Sequence, residues 1–279
     1  MFNKYDDNVV ATAQEYYNSS DADAFYHTVW GGEDIHIGYY QSEDDSIYEA
    51  SRRTVKKMAE LIPELNEQTK ILDIGAGYGG AARYLAETYG CKVVALNLSE
   101  VENERDREKN REQGLDRLID VIDASFEDVP YPEEHFDVVW SQDSILHSAR
   151  REQVLKEVAR VLKRGGQFVL TDPMMADDCP DGVLQPILDR IHLESLASPG
   201  FYRKKADELN LKEEQFVDLT NQLVNHYGRV LKETEKNETE LKDMISDDYI
   251  NNMKKGLNHW VNGGRNGYLT WGIFRFAKQ

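Results

Sequence analysis

One junction constrains this chain more than any other. The short apolar run KILDIG (70–75) ends in the glycines of Gly75-Ala76-Gly77-Tyr78-Gly79-Gly80, and GGAARYLAETYG (79–90) then has helical spacing with Gly90 as its stop. Glycines between a strand and a helix permit positive φ and let a ligand approach the main chain. The helix start offers unpaired N–H groups and the positive end of a dipole. The alternation continues through KVVALNL (92–98), a polar helical stretch (99–113), RLIDVID (117–123) and HFDVVWSQ (135–142). An amphipathic helix over 151–166, closed by a basic last turn and two glycines, leads into QFVLTD (167–172). Short apolar runs alternating with helices predict an α/β fold with a doubly wound, mostly parallel sheet.

Two regions stand outside that alternation. Residues 1–68 read as mostly helical and carry an aromatic cluster of Phe25, Tyr26, Trp30, Tyr39 and Tyr40. Residues 173–265 mix helices with the loop DDCPDG (177–182) and a strand-like QFVDLT (215–220). GYLTWGIFRFAK (267–278) alternates apolar and polar residues and is expected as a strand at the end of the sheet. The expected organisation is a helical N-terminal lid over 1–68 and a core over 69–279, with a cap insertion at about 173–265. No internal repeat or low-complexity linker divides it.

Charge narrows the partners. With 33 basic and 51 acidic residues the net charge is −18, which disfavours nucleic acid and anionic membranes and favours a small cationic ligand. Cys91 and Cys179 have no Cys or His neighbour at metal-ligand spacing, so neither a disulfide framework nor a metal centre is expected. The N-terminus MFNKYDDNVV lacks the pattern of a signal peptide, and no apolar stretch approaches the ~20 residues of a membrane span. A reduced, cytoplasmic chain is the expectation. The run EVENERDREKNRE (100–112) reads as a solvated helix face with i,i+4 charge pairs.

Taken as G-x-G-x-x-G through Gly75, Gly77 and Gly80, the junction matches the dinucleotide fingerprint, which leaves an NAD-dependent oxidoreductase as one reading. Three further features point elsewhere: Asp73 just ahead of the glycines, Asp123 at the head of ASFEDVPY (124–131), and the helix–Gly-Gly–strand passage VLKRGGQFVL (161–170). Together, over about 70–172, they resemble class I S-adenosylmethionine-dependent methyltransferases. The resemblance implies a Rossmann-like, seven-stranded sheet with its insertion after the fifth strand, and S-adenosylmethionine as cofactor. The cofactor site it implies comprises Trp30, Asp73, Gly75, Ala76, Gly77, Gly79, Asn97, Leu98, Asp123, Ala124, Ser125 and Gln142. One position departs from the pattern. Where many relatives place an acid for both ribose hydroxyls stands Asn97, whose amide can accept from one hydroxyl and donate to the other.

Outside the core, FYHTVWGGEDIHIGYY (25–40), NLSEVENERDREKN (97–110), WSQDSILHS (140–148), TDPMM (171–175), GFYRKKADELN (200–210) and NHYGRVL (225–231) resemble sarcosine/dimethylglycine N-methyltransferases. Those enzymes make glycine betaine from partly methylated glycines, and the resemblance runs over nearly the whole chain. The ILH of the fourth-strand loop and the aromatic N-terminal segment are also similar to phosphoethanolamine methyltransferases, the alternative acceptor class. A catalytically silent cofactor-binding protein is a third reading.

Amine methylation makes its own demands. At pH 7 an alkylamine of pKa near 10 is about 0.1% free base, a penalty of roughly 4 kcal/mol. His147, just beyond the fourth strand, is expected to take that proton. Tyr26 matches the tyrosine that phosphoethanolamine methyltransferases pair with this histidine. Tyr26 and Trp30 offer aromatic faces to a methylated cation or a sulfonium, worth ~0.5–2 kcal/mol each. Gln142 is expected to face the cofactor and Asp143 to meet the ammonium. The acceptor's carboxylate calls for a fork, for which Arg203 in Phe201-Tyr202-Arg203 is the first choice, with Tyr202 and Tyr227 beside it and Arg229 as rival.

Overall fold

The computed structural model describes residues 20–31, 33–191 and 193–279, so residues 1–19 of the expected lid lie outside the described residues. Ser20–Trp30 (α1) and Ile47–Glu60 (α2) precede the sheet. A capping box starts α2: the Ser46 hydroxyl accepts the Glu49 N–H while the Glu49 carboxylate accepts the Ser46 N–H. Its apolar side buries Val55, Met58 and Ala59 in the core.

The core then runs β1 (Lys70–Ile74), α3 (Gly80–Tyr89), β2 (Lys92–Asn97), α4 (Glu100–Glu112), β3 (Ile119–Asp123), β4 (Phe136–Gln142), α5 (Arg151–Val161) and β5 (Leu162–Thr171). After it come β6 (Met174–Met175), α6 (Gln185–Arg190), α7 (Pro199–Glu208), β7 (Leu211–Asp218) and α8 (Thr220–Lys236). The chain closes with α9 (Glu238–Leu241), α10 (Asp247–Arg265), β8 (Leu269–Thr270) and β9 (Gly272–Lys278).

The main sheet has seven strands in the order β3-β2-β1-β4-β5-β9-β7. The first five are parallel, β9 runs antiparallel to β5, and β7 antiparallel to β9. Ile71, Leu72, Val139, Trp140 and Val169 are fully buried, as strands covered on both faces require. The order reverses between β1 and β4. That switch point leaves a crevice beyond the carboxyl ends of the strands, the usual ligand position in such sheets. None of the described helices is long and apolar enough to cross a membrane.

Four expectations change. The last strand does not end the sheet: β9 is inserted between β5 and β7, and Leu211–Asp218 takes the edge. Residues 199–218, inside the stretch read as a cap insertion, therefore return to the core as α7 and β7. Helix α5 stops at Val161, not at 166, because Leu162 turns extended and pairs with Phe136; Gly165, at φ +76, makes a turn within β5.

Helix α4 is the fourth. Glu102, Asn103, Asp106 and Asn110 are buried, at spacings that place them on one inward face. Arg83 from α3 answers that face, with Nη1 2.7 Å from Asp106 Oδ1 and 3.1 Å from Asn110 Oδ1. Its Nε donates to Glu33 over 2.9 Å, which ties the segment after α1 to the helices below the glycine loop.

Candidate active site

The crevice is an open cleft, the concave kind of place where small ligands and cofactors bind. Its wall is formed at and just beyond the carboxyl ends of four parallel strands: 75–77 at β1, 97–99 at β2, 124–126 at β3 and 142–144 at β4. His147 and Ser148 add to it from the β4 side, and Ile35 and His36 from the segment after α1. Of the residues singled out in the sequence, Gly75, Ala76, Gly77, Asn97, Leu98, Ala124, Ser125, Gln142, Asp143 and His147 line this one cleft.

Gly75 adopts φ +75, and a Cβ there would lie 2.4 Å from Cβ of Ser144, so only glycine lets the β1 and β4 loops meet. Gly79 serves a different purpose. Its missing Cβ makes room for Asp106, whose Oδ1 would be 2.0 Å away, and Gly79 takes no part in the cleft wall. Asp123 is also turned aside: it accepts from Asn103 Nδ2 at 2.7 Å and Arg107 Nη2 at 2.6 Å, leaving Ala124, Ser125 and Phe126 to face the cleft.

Among the buried polar atoms without a partner in the described residues are Nε2 of Gln142, in the cleft wall, and Oδ2 of Asp73, just ahead of the glycine loop. Burial, with the nearby Asp106 and Asp34 carboxylates, pushes the Asp73 carboxyl up to about 8. Gln142 accepts the Trp140 indole N–H at Oε1 over 2.9 Å and keeps its amide NH₂ for the cleft. Asn97 donates to Glu102 Oε2 at 2.8 Å. Glu102, buried in the first turn of α4, supplies beside Asn97 the carboxylate that the sequence lacked at the end of β2. An unmatched acceptor, an unmatched donor and this amide–carboxylate pair fit a ligand carrying an amino group and ribose hydroxyls.

The other end is built for a cation. Asp143 has φ +50, a conformation costing about 1–3 kcal/mol outside glycine and common at functional sites. Its Oδ1 accepts the Trp271 indole N–H and its Oδ2 the Ile37 backbone N–H, each at 2.8 Å. Burial raises its pKa, opposed by those hydrogen bonds. His147 ends a single 3-10 turn, Ile145–His147, and burial with the nearby Arg151 pushes it down to about 4, so the ring is neutral at pH 7.

That turn is clamped from behind. Asp172 Oδ1 accepts the Leu146 N–H at 3.0 Å, and Arg151 Nη2 donates to the Leu146 carbonyl at 2.8 Å. Tyr202, 1% exposed, donates its hydroxyl to Asp172 Oδ2 at 2.8 Å. It supports the turn instead of reaching a substrate, contrary to the role expected from the sequence.

Arg203 does not reach the cleft either. Its Nε pairs with Glu213 at 2.8 Å and its guanidinium lies over Phe216 and Phe274 at the sheet edge. Successive helix residues point about 100° apart, so Tyr202 and Arg203 cannot serve one pocket together. The rival Arg229 lies 6.0 Å from the Tyr40 ring centroid. Tyr26 and Trp30 stand outside the cleft wall, in an aromatic cluster where their ring centroids are 5.1 Å apart and Trp30 is 5.3 Å from His226. Tyr227 stacks on Trp260 at 5.0 Å.

Several wall residues carried no role in the sequence reading: Ile35, His36, Glu102, Phe126, Glu127 and Ser144. The signal for Glu102 was present, since a helix packed on a sheet must bury one face whatever its composition.

A family profile described as a methyltransferase domain matches residues 72–170. A sarcosine/dimethylglycine N-methyltransferase of Halorhodospira halochloris is 60% identical over 278 residues, covering 100% of both chains. The chain belongs to the sarcosine/dimethylglycine N-methyltransferase family. A family member from Aphanothece halophytica is 53% identical over 272 residues, 98% of each chain. A solved structure from Galdieria sulphuraria, assigned as a sarcosine dimethylglycine methyltransferase, superposes with a TM-score of 0.90 at 43% identity, covering 95% of this chain and 99% of that one. The chain is therefore an S-adenosylmethionine-dependent N-methyltransferase of class I fold, and the nicotinamide reading is set aside.

Proposed function

We propose that this N-methyltransferase acts on sarcosine and dimethylglycine, giving dimethylglycine and glycine betaine. The observation that carries the reading is Asp143, a carboxylate fixed by two hydrogen bonds, beside a neutral His147 at the mouth of β4. The relatives' names support the same acceptors. Among the described residues no lysine or arginine lines the cleft, so no cluster of cations stands there for a doubly charged phosphate.

When bound, S-adenosylmethionine supplies a methyl group on a positively charged sulfur. Asp73, the 75–77 loop, Asn97, Glu102, Ser125 and Gln142 would hold it. Asp143 receives the acceptor's ammonium and aligns its nitrogen, since displacement demands near-collinear atoms about 3–3.5 Å apart. A neutral His147 does not repel that cation and offers a ring nitrogen for the proton the amine must lose. Asp143, its pKa raised by burial, is the second acceptor. Excluding water lowers the ammonium's pKa and so lightens the roughly 4 kcal/mol cost of deprotonation at pH 7.

Methyl transfer to glycine, sarcosine, dimethylglycine and phosphoethanolamine, each offered alone with products identified by mass, tests this function. Sarcosine and dimethylglycine should each gain methyl groups. Turnover of phosphoethanolamine alone would sink the proposal.

A further inference from the structure

The cluster joining α1, α8 and α10 contains hydrogen-bond donors without acceptors. Gly38 donates its backbone N–H to Nδ1 of His226 at 3.1 Å, which makes Nδ1 an acceptor and places the ring proton on Nε2. That Nε2 is buried and has no partner among the described residues. Trp30, whose ring centroid is 5.3 Å from that of His226, likewise has a buried indole N–H with no partner. An orphaned buried donor costs about 1–3 kcal/mol, and two in contacting rings call for an explanation.

Arg190 adds a charge of the matching sign. It ends α6 half-buried and takes part in no ion pair among the described residues; its Nη2 lies 2.9 Å from the thioether of Met253. Met253 belongs to the same apolar cluster as Phe25, Trp30 and Leu257, with Tyr26 and Tyr227 packed against it. The place for the guanidinium is built: a Cβ on Gly256 of α10 would sit 2.2 Å from Arg190 Nε and 2.7 Å from Cζ. A half-buried guanidinium against a thioether lacks the counter-charge that burial demands.

We propose that Arg190, Trp30 and His226 form the anion end of the acceptor site and take the carboxylate of the N-methylated amino acid, while Asp143 meets its ammonium. The inference rests on the acceptor class named under Proposed function and assigns the fork that Arg203 cannot provide. A zwitterion with one carbon between its charges matches a site with donors at one end and a carboxylate at the other. The phenol of Tyr227 feels both ends, its pKa raised by burial and by Asp143 and lowered by Arg190.

The test compares dimethylglycine with its methyl ester, which keeps the amine and removes the anion, in the wild-type protein and in Arg190→Gln, Arg190→Lys and Trp30→Phe. Arg190→Gln and Trp30→Phe should each narrow the preference for dimethylglycine over the ester, in kcat/KM, by about tenfold. Arg190→Lys should recover part of it, and affinity for S-adenosylhomocysteine should stay within twofold. Equal losses on both acceptors would mean a structural role and overturn the proposal. Weakened S-adenosylhomocysteine binding would assign the donors to the cofactor's carboxylate and overturn it too. A wild-type protein that leaves dimethylglycine unmethylated would instead refute the acceptor class and the proposal with it.

Discussion

The indole of Trp271 donates to Oδ1 of Asp143 over 2.8 Å, joining the approach to the last strand to the loop that leaves β4. Because Asp143 sits at φ +50, this bond and the one from Ile37 hold a carboxylate that the backbone alone would not keep there. Trp271→Phe preserves the packing and removes the donor. A hydrogen bond to a charged group is worth about 1.5–3 kcal/mol, so kcat/KM for dimethylglycine should fall about ten- to a hundredfold. Steady-state kinetics beside calorimetric binding of S-adenosylhomocysteine will check this, the latter remaining unchanged.

His147→Asn removes the proton acceptor and keeps a polar side chain. General-base contributions run to about 10²–10⁴-fold, and kcat should fall within that range with cofactor affinity intact. Stability carries a second readout. The folded pKa of about 4 lies below the ordinary 6.5, so between those values the unfolded chain binds the proton and the folded one does not. Stability from this group is present above about 6.5 and lost as pH falls toward 4. Melting curves of His147→Asn should lose that part of the acid sensitivity.

Asp73 has the opposite sign. Its folded pKa of about 8 exceeds the ordinary 3.8, so the folded state binds the extra proton and stability declines as pH rises between them. Asp73→Asn should be more stable than the wild type by a margin that widens toward pH 8 by up to about 1.4 kcal/mol per unit, then levels off. The same variant should bind S-adenosylhomocysteine about tenfold more weakly. A pH-independent stability difference would refute the assignment of that titration.

Arg203→Ala should leave KM for dimethylglycine within twofold and cost less than about 1 kcal/mol in stability, as for other exposed ion pairs. A tenfold rise in KM would return the carboxylate to Arg203.

The sequence carried the core well because its strands are short, apolar and separated by glycines, so β1, β2 and β4 begin and end within a residue or so of expectation. The residues that follow those strands fell into the cleft because a parallel sheet brings all its carboxyl ends to one side. What sequence order could not convey was pairing across distance. Leu211–Asp218 reads as a loose strand until β9 is known to lie beside it. Arg203 and Arg190 are both arginines in polar helical segments; only the tertiary fold shows that one has Glu213 and the other has Met253. Helix α4 misled through its composition, since its inward face is polar and is matched by Arg83 from another helix.

The position of dimethylglycine in a crystal of the S-adenosylhomocysteine complex bears hardest on the site as a whole. Its nitrogen should lie within hydrogen-bond reach of Asp143 or His147, about 2.7–3.2 Å, with the carboxylate directed at Arg190. A molecule seated beside Arg203 and Glu213, or one with its carboxylate turned toward Asp143, would contradict the arrangement.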